Sequence, residues 1–309
     1  MSAEERPVIL GVVGDSASGK TTLSKGLVQL LGADTVTHVC TDDYHRYDRA
    51  KRAELGITPL NPDCNYIDIM AQHLSLLRDG APILKPIYGH SGGTFGPPEY
   101  IVPGRFMVIE GLLGYHNEEM RAAYDVRVYL DPPEDLRREW KIQRDCSKRG
   151  YAEEDVLAEL ERREPDSVSF IRPQERWADL VVRQFVSPET GDPTQLDAEL
   201  TLRDGLPHPD LGVFTDHADS GIKLTEVRDG ERLLCIPGSL DRARALEIEE
   251  AIWDAMHFAS HLRSERLGEL TIDGETRHSE SLGLIQLLIL YHLTTAVATV
   301  ALGAEDNRL

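Results

Sequence analysis

The sequence predicts an α/β chain with a mainly parallel sheet covered by helices on both faces over residues 1–187, followed by a C-terminal α+β extension over 188–309. Three observations carry this. Apolar runs alternate with helical periods through the first 187 residues, those runs are near-continuous in Val, Ile and Leu, as fully covered parallel strands require, and the character changes at VSPETGDPTQ.

The elements follow in order. Val8 to Val13 reads as a strand, Thr21 to Leu31 as a helix closed by Gly32, Val36 to Thr41 as a second strand, and Tyr66 to Leu77 as a helix closed near Gly80. Phe106 to Ile109 and Val126 to Leu130 are short buried strands. Pro133 opens a helix to about Lys148, Arg149 to Pro165 is a charge-dense helical segment, and Leu180 to Phe185 is another strand. Beyond the boundary, Lys223 to Ile236 and Glu269 to Arg277 read as hairpins turning at Asp229-Gly230 and Asp273-Gly274. Between them Ala245, Ile248, Ile252, Ala255, Met256 and Ala259 recur at the spacing of a core-packed helix.

Composition narrows the function. The 309 residues are 41% hydrophobic and 28% charged, and 53 acidic against 33 basic residues give a net charge of −20, which opposes binding to nucleic acid or to an anionic membrane. Cys40, Cys64, Cys146 and Cys235 lie too far apart for a C-x-x-C pair, so a reducing cytoplasm is expected. The opening MSAEERPVIL carries two glutamates, opposite in charge to a signal or transit peptide. Ser281 to Ala304 is uncharged and long enough to span a bilayer, but Gln286, His292, Thr294, Thr295 and Thr299 interrupt it and it lacks basic flanks. It reads as a buried core or subunit-interface helix, and a homodimer is the expected assembly.

The chemistry starts at Gly14-Asp15-Ser16-Ala17-Ser18-Gly19-Lys20-Thr21, which fits G-x-x-x-x-G-K-[ST] between a strand and a helix and defines a P-loop NTPase-type core. Gly14, Ser16, Ala17, Ser18, Gly19, Lys20, Thr21 and the adjoining Thr22 are expected to hold the phosphates of ATP. Lys20 serves the β- and γ-oxygens and the Thr21 hydroxyl serves Mg²⁺. Glu110 of F-M-V-I-E-G, at the carboxyl end of a strand, is the expected acid on the metal side. Asp42, at the tip of the second strand, is the candidate base for a phosphoryl acceptor hydroxyl. Asp43 supports it, contacts metal-bound water, or caps the next turn. His45, Arg49 and Arg52, four and three apart, are expected on one face of a helical turn as a cationic patch for an acceptor that already carries a phosphate.

GDSASGKTT, CTDDYHRYDR, LNPDCNYIDIMAQHLSLLRDGAPILKPIYGH, GPPEYIVPGRFMVIEGLLG, YLDPPEDLRREWKIQRD and REPDSVSFIRPQERWADLVV together resemble the phosphoribulokinase and uridine kinase family over about residues 7 to 185. The resemblance is to the plant and cyanobacterial form of phosphoribulokinase more than to the short proteobacterial one. It implies phosphorylation of ribulose 5-phosphate at O1 with MgATP, in the service of carbon fixation. By matching motif it implies Asp42 as base, Glu110 as metal ligand, and His45, Arg49 and Arg52 at the sugar phosphate. It adds Tyr88 and His90 of K-P-I-Y-G-H to the acceptor pocket, and Arg144 and Arg163 as closing over phosphates. The plant-type form places one regulatory cysteine in the P-loop and one before D-D-[YF]-H. Here Cys40 matches the second and Ser18 stands at the first, so that disulfide switch is expected to be absent while Cys40 remains an oxidisable thiol. Two other readings share the P-loop: a kinase for a nucleoside or another pentose phosphate, and a nucleotide-binding regulator without catalysis, which would need neither Asp42 nor Glu110.

Overall fold

The computed structural model describes residues 6–302 apart from 91, 217–219, 229, 257–261, 263, 265 and 273–274. Its centre is an eight-stranded sheet. In chain order the strands are β1 (Val8–Gly14), β2 (Val36–Cys40), β5 (Phe106–Gly111), β6 (Val126–Leu130), β7 (Leu180–Val186), β8 (Leu196–Leu202), β9 (Lys223–Arg228) and β10 (Glu231–Ile236). Two further strands, β3 (Ile83–Gly89) and β4 (Thr94–Ile101), form a separate antiparallel hairpin. Across the central sheet the order is β2-β5-β1-β6-β7-β8-β10-β9. The first five run parallel and the last three antiparallel.

All seven residues of β1 are buried, because the strand is covered on both faces. The alternation of a pleated strand sends Val8, Leu10 and Val12 into one core and Ile9 and Val13 into the other. The helices α1 (Lys20–Leu31), α7 (Arg242–Ala255) and α8 (Glu280–Ala301) contribute to the first core, and α3 (Ile67–Arg78) and α4 (Glu118–Ala122) to the second. Three more helices, α2 (Arg49–Leu55), α5 (Glu134–Arg149) and α6 (Glu153–Asp166), stand with the hairpin around the carboxyl edge of the parallel strands.

The division expected after Ser187 is not a break in the fold. β8 pairs with β7 from Leu196↔Val186 to Leu202↔Leu180, and Leu200, Leu202, Leu234 and Ile236 enter the same core as β1. The Pro- and Gly-rich stretch is the reversal between two antiparallel strands, and through β8, β10 and β9 the C-terminal third continues the central sheet. Its hairpin β9–β10 is present with Gly230 at φ 83°, while Asp229 lies outside the described residues. In the pair β11 (Glu269–Ile272) and β12 (Glu275–His278) the turn 273–274 lies outside them, as does Ala259. The apolar segment at the end is α8, 22 residues long, and by length and composition it would cross a membrane. Here Ser281 to Leu290 are all buried, with Leu282, Leu284 and Leu287 in the core beneath β1.

Candidate active site

Register places the chemistry. Val12 of β1 lies beside Glu110 of β5, and Glu110 lies beside Cys40 of β2, so these strands end in one row and release their loops at one edge. Gly111 is required there: a Cβ added to it would sit 1.8 Å from Thr41 Oγ1, so β5 and the turn after β2 approach closely only because the side chain is missing.

The phosphate loop curls with Ala17 at φ 66° and Gly19 at φ 93°, and α1 starts at Lys20. Lys20 Nζ donates to the carbonyls of Gly14 at 2.9 Å and Asp15 at 2.7 Å, which folds the ammonium over the loop. Ser16 and Ala17 are half-buried on the loop, and Thr22 is on the exposed side of the first helical turn. Ser18 Oγ is buried without a hydrogen-bond partner, an orphaned donor inside a glycine-framed cradle, which fits a bound phosphate. Two residues absent from the motif brace the loop. Arg137 of α5 donates to Ser16 O at 2.9 Å, and the Ser167 hydroxyl donates to Asp15 Oδ2.

Thr21 Oγ1 is 3.2 Å from both carboxylate oxygens of Glu110, which is 4% exposed. One hydroxyl and one carboxylate facing the loop fit Mg²⁺, which takes few protein ligands and completes its shell with phosphate oxygens and water. No cluster of three or more metal-ligating side chains occurs among the described residues. His38 Nε2 also reaches Glu110, at 3.2 Å, and nothing in the motif pattern announced it. Asp42 Oδ1 accepts from the Leu112 N–H at 3.2 Å, holding the carboxylate at the mouth of β5. Burial, then the neighbouring Asp42 and Glu110, push the Cys40 thiol well above its ordinary range, so Cys40 is a poor thiolate and a slow target for oxidation. All four cysteines are free.

The residues expected at the acceptor, His45, Arg49, Arg52, Tyr88 and His90, come together, though not as one helical face. His45 closes the short turn Thr41–Tyr44 and Arg49 opens α2, so they belong to two elements and not to one helical face. The His45 ring packs edge-on to Tyr88 at 4.7 Å and shares a 2.7 Å hydrogen bond with Asn65. Burial, opposed by Asp42 and Asn65, lowers its pKa to about 4, so His45 is a neutral hydrogen-bonding group and not part of a cationic patch. The cations are Arg49, bonded to His90 O, and buried Arg52, which donates to Tyr88 Oη at 2.6 Å and Tyr47 O at 3.0 Å.

Asp43 has partners within the protein. Its carboxylate receives the Lys85 ammonium and, at 3.0 Å, the Tyr88 N–H, so it ties β3 to the turn after β2. Sequence reasoning passed over Lys85 because the K-P-I-Y-G-H strand carries Pro86 and was not read as half of a hairpin. Lys85→Met, which leaves the Asp43 carboxylate without a cation and with only the Tyr88 N–H, is expected to cost roughly 3–5 kcal/mol of stability. The Asp43→Asn and Lys85→Met double variant should recover part of it, and urea unfolding of the three proteins reads the coupling.

Arg144 and Arg163 were expected over the nucleotide phosphates. Arg144 donates to Asp145 at 2.9 Å, alongside Lys141 and Arg149, and Arg163 donates to Glu159 at 2.5 Å. Burial lowers the pKa of His90, Asp42 opposes this, and Arg149 and Arg144 assist it. Arg52 is among the charges that act on Arg163. Arg144 is thus within electrostatic reach of His90, and Arg163 of Arg52.

A phosphate loop, a threonine–glutamate pair and a carboxylate at one sheet edge define a P-loop phosphotransferase. Residues 9–190 match the family model described as Phosphoribulokinase / Uridine kinase family. The chain is 35% identical over 283 residues to phosphoribulokinase of Synechocystis sp., covering 86% of this chain and 85% of that protein. It is 32% identical over 256 residues to the chloroplastic phosphoribulokinase of Arabidopsis thaliana, covering 76% of this chain and 64% of that one. Among solved structures, phosphoribulokinase from Rhodobacter spheroides shares the fold with a TM-score of 0.58 at 18% identity, covering 83% of this chain and 98% of that chain. The chain belongs to the phosphoribulokinase and uridine kinase family.

Proposed function

We propose that this enzyme transfers the γ-phosphoryl group of ATP to O1 of ribulose 5-phosphate, giving ribulose 1,5-bisphosphate and ADP. The observation that carries the reading is the acceptor cluster: Arg49 and Arg52, with neutral His45 and Tyr88, stand beside Asp42 on one side of the phosphate loop. In a chain of net charge −20, such a grouping suits an acceptor that arrives with its own phosphate. The names of the Synechocystis and chloroplastic relatives support the same acceptor.

In this mechanism Asp42 accepts the proton of the O1 hydroxyl as that oxygen bonds to the γ-phosphorus and the bond to the β-bridging oxygen breaks. Lys20 leaves its loop carbonyls to neutralise the phosphate charge. Thr21 and Glu110 would hold Mg²⁺, which supplies charge compensation on the transferring group. Arg49 and Arg52 anchor the 5-phosphate and His45 orients the sugar. The four free thiols support a reducing cytoplasm, and the partly exposed Ala296, Val297 and Val300 near the end of α8 support a homodimer.

The test is ADP release from MgATP with ribulose 5-phosphate, ribose 5-phosphate, uridine and no acceptor. A large preference for ribulose 5-phosphate is expected. Turnover of uridine or ribose 5-phosphate alone would move the assignment to another acceptor of the family, and no acceptor-dependent turnover would leave a nucleotide-binding regulator.

A further inference from the structure

The mechanism gives no part to Asn65, a buried side chain at the end of N-P-D-C-N. Asn61 caps the short turn Pro62–Cys64, and the chain leaving that turn lies antiparallel to the segment after β2. The Arg46 N–H donates to Cys64 O at 2.7 Å and the Tyr66 N–H to Tyr44 O at 2.8 Å, so the backbone sets Asn65 directly against His45.

The Asn65 amide has one workable orientation. Its Nδ2 donates to Pro59 O at 3.0 Å and to Asn61 O at 2.9 Å. Turned over, the amide would press its oxygen against two carbonyl oxygens in a buried site. Oδ1 is therefore the atom 2.7 Å from His45 Nδ1, and because an amide oxygen only accepts, Nδ1 carries the proton. Burial keeps the ring neutral, so its second nitrogen, Nε2, is a lone-pair acceptor. Among the described residues no hydrogen bond reaches Nε2, and the ring lies within electrostatic reach of Asp42, the proposed base.

We infer that Asn65 is a positioning residue that presents His45 Nε2 as a hydrogen-bond acceptor, and that its partner is a hydroxyl of the sugar and not the phosphate. A phosphate dianion offers only acceptor oxygens, which a lone pair repels, and the donors suited to it are Arg49 and Arg52. A sugar hydroxyl can donate. The arginines and His45 thus read separate parts of one substrate, and a sugar lacking that hydroxyl would leave Nε2 buried without a partner. The inference rests on the proposed reaction with a sugar phosphate.

Two-bond ¹H–¹⁵N correlation spectra of the full chain, with the His45 signals identified by their loss in His45→Ala, test it without turnover. The parent should show a protonated Nδ1 and an unprotonated Nε2, and Nε2 should shift yet stay unprotonated when ribulose 5-phosphate is added. A protonated Nε2 in the parent would overturn the role of Asn65. One that appears only on adding ribulose 5-phosphate would put the phosphate there instead of a hydroxyl. In steady-state kinetics, Asn65→Ala and His45→Ala, each shown to be folded by its thermal transition, should lower kcat/KM for ribulose 5-phosphate about tenfold, the scale of one hydrogen bond. The double variant should be no worse than His45→Ala, because Asn65 acts through the ring. A further loss in the double variant would show that Asn65 acts through its loop, and would overturn the inference. A parent whose His45 signals and turnover both ignore ribulose 5-phosphate would remove that sugar as the substrate and the hydroxyl with it, while the tautomer in the parent still decides the role of Asn65.

Discussion

Asp42→Asn is expected to lower kcat by roughly 10²–10⁴ while ATP still binds. The substitution keeps the shape that accepts the Leu112 N–H but removes the ability to take a proton from the attacking hydroxyl. Because Asp42 touches neither Lys20 nor the loop carbonyls that Lys20 occupies, the phosphate cradle stays intact. Steady-state kinetics with ribulose 5-phosphate, paired with an ATP-binding isotherm, separates the two effects. Turnover within a few-fold of the parent would remove Asp42 from the role of base.

Arg52→Ala is expected to raise the KM for the sugar phosphate by about 10–100-fold, the scale of one or two hydrogen bonds to a charged group. Arg52 is 8% exposed, and its guanidinium lies 4.9 Å from the Tyr88 ring centroid while bonding the hydroxyl of the same residue. It therefore supplies positive charge and also holds Tyr88 against His45. Arg52→Lys should fall between parent and alanine, because an ammonium restores charge but not the fork that reaches Tyr47 O and Tyr88 Oη together. An effect confined to the KM for ATP would show that Arg52 serves the other substrate.

The parallel half of the sheet was legible because its signals are local. Val8 to Val13 is apolar throughout, Gly19-Lys20-Thr21 follows at the strand-to-helix turn, and Asp42 and Glu110 stand at strand ends. The hairpin of β3 and β4 was not read because all but the last residue of β4 are exposed and Pro86 interrupts β3, leaving no hydrophobic period to follow. Asp43 was read as supporting Asp42, contacting metal-bound water or capping the next turn, and the Lys85 ammonium it receives, 42 residues away, had no local signal.

By itself the sequence determined the P-loop, the succession of parallel strands and helices along its first half in outline, the identity of the acid and base candidates, and the buried nature of α8. Each depends on residue type and near-neighbour spacing, which the chain carries in one dimension. Only the tertiary structure decided that β8, β9 and β10 extend the central sheet, that His45 is neutral, that Arg137 and Ser167 brace the phosphate loop, and that Arg144 and Arg163 pair with Asp145 and Glu159. Strand pairing, desolvation and ion pairing are set by which distant segments meet, and no local pattern encodes that meeting.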